Sequence, residues 1–362
     1  MSSHKTRLLP VLIAMSVSAA ASAECQITKF ASLSLEVRDN QLLTSGSLNG
    51  HSMKFLIDTS APGTLVSAPF AHAIGLRVDD QFAHQRLSSL EGRLPVGQAI
   101  VDEMQVDRYA LKAIHLTVRS QHETFGHADA ILGNDFLGQF DIEIDLKANT
   151  LNLFKPQGCG QSNLAFWTDA YNVLDLTPTT KKVEMPVEVN GHTVAAELDS
   201  GSPFTGMVDT AARTAEVPDS DTDNSIEPIK SGAADYFTLA YDITNGFGIE
   251  HRSANSARSG LQIDTGGGPA KIWQATAQSV KLDQELIRPA KLRIFHYAQK
   301  AVDIGSHVGE TTGFSEGMVL GVDFLVSHHV LISHSQNKLY FSYAGGPAFQ
   351  GAAAEAGKTA AN

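Results

Sequence analysis

The chain has 362 residues and a formal net charge of -12 at pH 7. That length accommodates two domains of ordinary size, each with its own core, and the negative balance offers no basic surface for nucleic acid or an anionic membrane. No segment reaches the roughly 18 consecutive apolar residues of a membrane-crossing helix, so no membrane span is expected.

Residues 1–23 open with Lys5 and Arg7, run through apolar residues 8–17 and end on Ala21-Ser22-Ala23. This is the pattern of a secretory signal peptide cut near Ala23, and it predicts a soluble periplasmic or secreted protein. Cys25 follows closely, which raises a lipid anchor, but Glu24 stands where such signals carry a small residue. Cys25 and Cys159 are the two cysteines. In an exported chain an even count favours a disulfide, here worth up to about 4–5 kcal/mol in the chain-entropy model; two free thiols are the alternative.

The chain then repeats itself. Residues 49–66 read NGHSMKFLIDTSAPGTLV and residues 190–207 read NGHTVAAELDSGSPFTGM, with Asn, Gly, His, Asp, Pro and Thr in register. Residues 131–154, ILGNDFLGQFDIEIDLKANTLNLF, return as residues 319–342, VLGVDFLVSHHVLISHSQNKLYFS. Two blocks recurring in the same order indicate a duplicated domain. The repeat divides the chain into a first lobe over 24–160, a linker over 161–176, a second lobe over 177–343 and a disordered tail over 344–362.

Most segments between turns are short, rich in Val, Ile, Leu, Phe and Thr, and often alternate with polar residues, which predicts strands with one buried face. Asn49-Gly50 and Asn190-Gly191 carry the composition of type I′ hairpin turns. Brief helices are expected over 68–74 and 208–215 and in the turn after each Asp-Phe-Leu. The polar stretch 216–260 reads as surface loops or an excursion over the domain face.

In each copy an apolar strand ends at an aspartate followed by small residues: Asp58-Thr59-Ser60 and Asp199-Ser200-Gly201. If the lobes pack about a pseudo-twofold axis, the two loops meet and their carboxylates share one site. Like charges about 3 Å apart do not both ionise easily, so one proton is held between them. Such a pair activates a water through its ionised member and polarises a carbonyl through its protonated one, without metal or cofactor. Taken singly, each aspartate reads as an ordinary turn residue; duplication is what argues for a shared site.

These residues resemble the aspartic proteases, both the bilobal pepsin type and the single-lobe retroviral type. The family pattern of an apolar strand, then Asp, Thr or Ser, and Gly, followed later by two apolar residues and Gly, is met by Phe55-Leu56-Ile57-Asp58-Thr59 with Ile131-Leu132-Gly133. It is met again by Leu198-Asp199-Ser200-Gly201 with Val319-Leu320-Gly321. The Leu-Gly-x-Asp-Phe-Leu extension is most similar to bacterial exported proteins with retroviral-type protease domains. The resemblance implies an all-β fold of two pseudo-twofold-related acid-protease β-barrel lobes with a cleft between them. It implies an endopeptidase with Asp58 and Asp199 as the catalytic pair, no cofactor, and a peptide or protein as substrate. Thr59 and Ser200 would hydrogen-bond across to the opposite loop, and Gly133 and Gly321 would lie beneath, leaving room for it. With both lobes in one chain, a monomer suffices.

The first loop departs from the pattern, with Ser60 where Gly201 stands in the second. Serine adds a Cβ and a hydroxyl beside the pair: it either fits with a small displacement, bonds an aspartate and changes its pKa, or spoils the geometry. Asp264-Thr265-Gly266 matches the triplet better than either loop but lacks the Asn-Gly-His lead-in, and its place resembles residues 90–95; both read as hairpin tips, candidates for flaps over substrate. No His-x-x-x-His helix or cysteine cluster marks a metal site, and His51 and His192 fall at hairpin starts. The rival reading is a catalytically silent peptide- or envelope-binding protein of the same fold, which Ser60 favours. A purely structural envelope protein is the third reading, and it leaves the two retained aspartate loops unexplained.

Overall fold

A computed structural model of the chain describes residues 25–79, 86–89, 92–119, 125–160, 162–178, 182–218, 272–295 and 317–349. Residues 1–23, read as a signal peptide, most of the polar stretch 216–260 and the triplet at Asp264 lie outside them.

Strands predominate among the described residues, with four short helices. Each copy of the repeat builds the same local unit. Asn49 and Gly50 have φ of 48° and 79°, and Asn190 and Gly191 have 51° and 84°. Positive φ at both central residues defines a type I′ turn, whose twist matches the strands it joins. The turns place Leu48 opposite His51 and Val189 opposite His192. They feed the strands His51–Ile57 and His192–Leu198, which share one burial pattern. The last three residues of each are buried, Phe55-Leu56-Ile57 in the first and Ala196-Glu197-Leu198 in the second, and the aspartate loop begins there.

The second repeated block explains why the loops stay in place. Ala130–Leu132 pairs parallel with the strand before Asp58 and antiparallel with Leu65–Ser67 after it. Met318–Leu320 does the same between His192–Leu198 and Gly206–Val208. A strand wedged between the two arms of a loop holds both, because its edges satisfy the backbone groups of each arm. Around these units close a nine-stranded sheet built from residues 36–132 and an eight-stranded sheet built from residues 184–320.

A third, six-stranded sheet joins the halves: Gln26–Ser34, Thr150–Gln157, Asp141–Asp145, His328–Ser333, Lys338–Tyr343 and Asn172–Asp175, in that order. At its centre Ile142 faces Ile332, Glu143 faces Leu331 and Ile144 faces Val330. In the repeat, Ile142, Glu143 and Ile144 correspond to Val330, Leu331 and Ile332. Ile142 therefore pairs with the counterpart of Ile144, Ile144 with that of Ile142, and Glu143 with its own, the signature of a twofold contact, here between two copies in one chain. The pseudo-twofold axis passes between Glu143 and Leu331. One apolar cluster, including Leu33, Ile142, Val330 and Phe341 of this sheet and Phe55 and Leu198 of the strands leading to the loops, runs through both halves.

Four expectations need adjustment. The helical turns contain Asp-Phe-Leu rather than follow it, at Asn134–Leu137 and Val322–Leu325, because Phe136, Leu137, Phe324 and Leu325 bury themselves by turning there. Part of the segment read as a linker is structured: Asn172–Asp175 pairs with Lys338–Tyr343, and Leu164 and Ala165 are buried beside Phe154 and Tyr340. The chain also keeps its place past residue 343, up to Phe349, which is buried near Phe324 with ring centroids 6.4 Å apart; one aromatic anchor in an aperiodic stretch leaves no periodic signal. Residues 350–362 lie outside the described chain. Arg86–Ser89 and Gly92–Val106 pair with Ser89 opposite Gly92, so residues 92–95 of the segment read as a tip are paired strand, and residues 90–91 lie outside the described chain.

Cys25 and Cys159 form a disulfide. It lies just beyond the Gln26 to Gln157 pair, so it staples the start of the first strand to the end of its neighbour. The helices Ala68–Ala73 and Asp209–Thr214 appear near the ranges read from sequence, the first capped by Ser67 Oγ accepting from the Phe70 amide.

Candidate active site

The fold brings the two aspartate loops together at the axis. The Thr59 amide donates to Ser200 Oγ and the Ser200 amide donates to Thr59 Oγ1, both at 3.1 Å. The Thr59 hydroxyl donates to the Leu198 carbonyl at 2.7 Å, and the Ser200 hydroxyl to the Ile57 carbonyl at 2.8 Å. Every bond in this set has its image in the other lobe. Short hydroxylated side chains are needed here because each satisfies buried backbone of the opposite turn while its own loop stays tight. Both hydroxyls are fully buried, and the set is a rigid cross-brace between lobes.

Asp58 and Asp199 emerge from this brace. Their amides donate to the Leu132 and Leu320 carbonyls of the wedged strands, at 3.2 and 2.9 Å. The two carboxyls are close enough for the charge of Asp58 to add to burial in raising the pKa of Asp199. Asp58 Oδ1 accepts from the Ser60 amide at 2.9 Å, the Ser60 hydroxyl at 2.9 Å and the Ala61 amide at 2.8 Å. Asp199 Oδ1 accepts from the Gly201 amide at 2.8 Å and the Ser202 amide at 3.1 Å. With 1 % and 4 % of their surface exposed, both are largely removed from water. Burial raises the pKa of Asp58 against the pull of its hydrogen bonds. Burial raises that of Asp199 further, reinforced by the charge of Asp58 and then by that of Glu197. A pair so placed holds a proton well above the ordinary carboxylate range.

Gly201 and the two glycines beneath the loops are required by contact. A Cβ on Gly201 would stand 2.5 Å from the Asp58 carboxyl carbon. On Gly133 it would stand 2.5 Å from the Gly63 carbonyl oxygen, and on Gly321 2.4 Å from that of Phe204. All three distances are inside contact range. Below each loop a threonine ties the wedge down. Thr64 Oγ1 accepts from the Gly133 amide at 3.3 Å and donates to Asp135 at 2.8 Å; Thr205 Oγ1 accepts from the Gly321 amide at 3.1 Å and donates to Asp323 at 2.6 Å. Burial lifts the Asp323 pKa to about 6, opposed by its bond from Thr205.

Sequence reading placed Asp58, Thr59, Ser60, Asp199, Ser200, Gly201, Gly133 and Gly321 in one site, and the structure brings all eight together. It missed the Thr64–Asp135 and Thr205–Asp323 ties, although the threonines and the aspartates of Asp-Phe-Leu recur in register. It also missed Glu197, buried beside the site and paired with Lys182 at 3.3 Å. A carboxylate in place of the apolar Leu56 of the first copy was its signal. His51 and His192 are exposed at their hairpin starts.

Two lobes about an internal twofold axis, each lending one aspartate to a buried pair, define the bilobal acid-protease class of fold. Residues 44–139 match the family described as gag-polyprotein putative aspartyl protease. That match takes in the first aspartate loop and its wedged strand, which the second half repeats. Among solved structures it is similar to a retropepsin-like aspartic protease from Rickettsia conorii, at 16% identity over 37% of this chain and 94% of that one, TM-score 0.25. It is also similar to the aspartic proteinase from Irpex lacteus, at 10% identity over 86% of this chain and 97% of that one, TM-score 0.44. No curated protein matches the chain.

Proposed function

We propose that the chain is an exported aspartic endopeptidase in which Asp58 and Asp199 together activate a water for attack on a peptide carbonyl. The observation that carries this is the reciprocally braced pair: two buried carboxyls from equivalent loops, held by hydrogen bonds that repeat across the axis. Such bracing fixes the groups before substrate arrives, which general acid–base catalysis at a dry site needs. The ionised carboxylate takes a proton from water as the water oxygen bonds to the carbonyl carbon, and the protonated carboxyl gives its proton to the carbonyl oxygen. The gem-diol then collapses with proton transfer to the leaving nitrogen. An extended peptide would lie between the lobes, bonded by its main chain to the hairpin of Arg86–Ser89 and Gly92–Val106 acting as a flap. One copy carries both loops, so a monomer is sufficient. Export is supported by the signal-like residues 1–23 and the disulfide, a bond characteristic of oxidising compartments.

Ser60 favours a second reading, a protein of this fold that binds peptides or envelope components without cleaving them. The test is to incubate the mature protein with a diverse peptide mixture between pH about 3 and 7, beside Asp58→Asn and Asp199→Asn. Cleavage abolished in both variants supports the peptidase; cleavage surviving in either removes the pair from the mechanism. Peptide binding without turnover at any pH favours the second reading.

A further inference from the structure

The two halves of the brace are equivalent, but the surroundings of the two carboxyls are not. Position 60 is serine and its image, position 201, is glycine. The serine hydroxyl donates to Asp58 Oδ1 at 2.9 Å, giving that oxygen three donors where Asp199 Oδ1 has two. Each donor favours the ionised form of the carboxyl that accepts it, so the added hydroxyl suits an ionised Asp58 and leaves the proton of the pair to Asp199. Gly201 offers no such group in return, and the space is closed, since a Cβ there would meet the Asp58 carboxyl.

A second pair of positions is biased in the same sense. Leu56 lies in a buried apolar cluster; its image is Glu197. Glu197 precedes Asp199 by two residues along extended chain, so the two carboxylates point to the same side. It forms an ion pair at 3.3 Å with Lys182, a side chain 21% exposed, at the edge of the site. The other charged groups around the loops are Glu184, cross-strand to Glu197, then Asp135 under the first loop, and Asp323 with Arg293 near the second. The raised pKa of Asp199, through burial, Asp58 and then Glu197, agrees with the geometry.

We propose that Ser60 and Glu197 are positioning residues that place the single proton of the pair on Asp199, leaving Asp58 as the ionised member. Resting on the peptidase reading, this assigns the roles: Asp58 takes the proton of the attacking water, and Asp199 gives its proton to the carbonyl oxygen. As the gem-diol collapses, Asp58 passes its proton to the leaving nitrogen while the carbon–nitrogen bond breaks. Asp199 recovers a proton from the gem-diol hydroxyl. The pair ends as it began.

The experiment is an NMR titration of the full chain carrying carboxyl-labelled aspartate, with the two resonances assigned through Asp58→Asn and Asp199→Asn. In the wild type Asp58 is expected to remain ionised to lower pH than Asp199. Ser60→Gly and Ser60→Ala should both move the Asp58 titration to higher pH, the alanine separating loss of the hydroxyl from loss of the Cβ. Glu197→Gln should move that of Asp199 to lower pH. Asp199 ionising first, the two titrating alike, or an Asp58 titration unmoved in both Ser60 variants overturns the proposal. In parallel, kcat/KM on the acid limb should fall about tenfold in Ser60→Ala, the effect of losing one hydrogen bond to a charged group. Cleavage that survives removal of either aspartate sinks the peptidase reading, while the titration still decides where the proton sits. Cleavage that needs both aspartates, with an acid limb indifferent to Ser60→Ala, sinks the proton assignment alone.

Discussion

At the scale of single residues, the site is governed by what is small enough to fit and what is buried enough to hold a proton. Gly201→Ala forces a Cβ into the Asp58 carboxyl, and we expect a loss of about 1–3 kcal/mol in urea unfolding together with loss of peptide cleavage. Gly160→Ala is the control: nothing lies within 4 Å of a Cβ there, so its stability should stay within about 0.5 kcal/mol of wild type. Asp323 makes a prediction of the opposite character. Its folded pKa, about 6, lies above the ordinary 3.8, so the folded chain binds the proton more tightly than the unfolded one. The contribution is present in full below the unfolded value and is lost as pH rises through the folded one. A difference of that size corresponds to on the order of 3 kcal/mol. Asp323→Asn should therefore flatten the fall in stability between pH about 4 and 6, measured by urea unfolding at several pH values.

At the scale of elements, the unit that matters is the strand, loop and wedged strand, made twice. Thr59 and Ser200 link the units, each with one amide and one hydroxyl bond to the other side. Thr59→Ala or Ser200→Ala leaves a buried backbone amide and carbonyl without their partners, at a cost of about 1–3 kcal/mol each. Because the two side chains serve one network, the double variant should fall short of the sum, with a coupling of about 0.5–3 kcal/mol in a double-mutant cycle. Strict additivity would mean that the loops are held by their own wedges alone. The type I′ turns, the apolar strands and the repeated Leu-Gly were legible in sequence because each is a local requirement of the backbone. The helical turns were displaced by a few residues because burial of Phe136 and Phe324, a tertiary effect, decides where the chain turns.

For the whole molecule, the six-stranded sheet joins the halves and the disulfide closes the first of them. The Cys25–Cys159 bridge closes a span of 134 residues, and loop entropy restored to the unfolded chain should make Cys25→Ala/Cys159→Ala less stable by about 2–5 kcal/mol. Thermal unfolding with and without reductant checks this: reductant should lower the wild-type midpoint to that of the double variant and leave the variant unmoved. Asp58, Asp199 and Asp323 all have raised pKa values through burial, so all three act in one direction. They favour the folded chain in acid, and stability from them declines as pH rises through their folded values. A chain carrying Asn at all three positions should lose that part of its pH dependence.

The sequence by itself determined the duplication, the β class and the identity of the paired loops, because a repeat in register constrains local backbone chemistry in both copies at once. It also showed that Ser60 breaks the symmetry. Only the tertiary structure decided what that break does, since the direction of the Ser60 hydroxyl, the burial of Glu197 and the ties from Thr64 and Thr205 depend on groups far apart in the chain. The packing also recruited Asn172–Asp175 and Phe349, which carry no periodic signal of their own. Local rules choose turns and strands; the proton on a buried carboxyl is chosen by everything that folding brings against it.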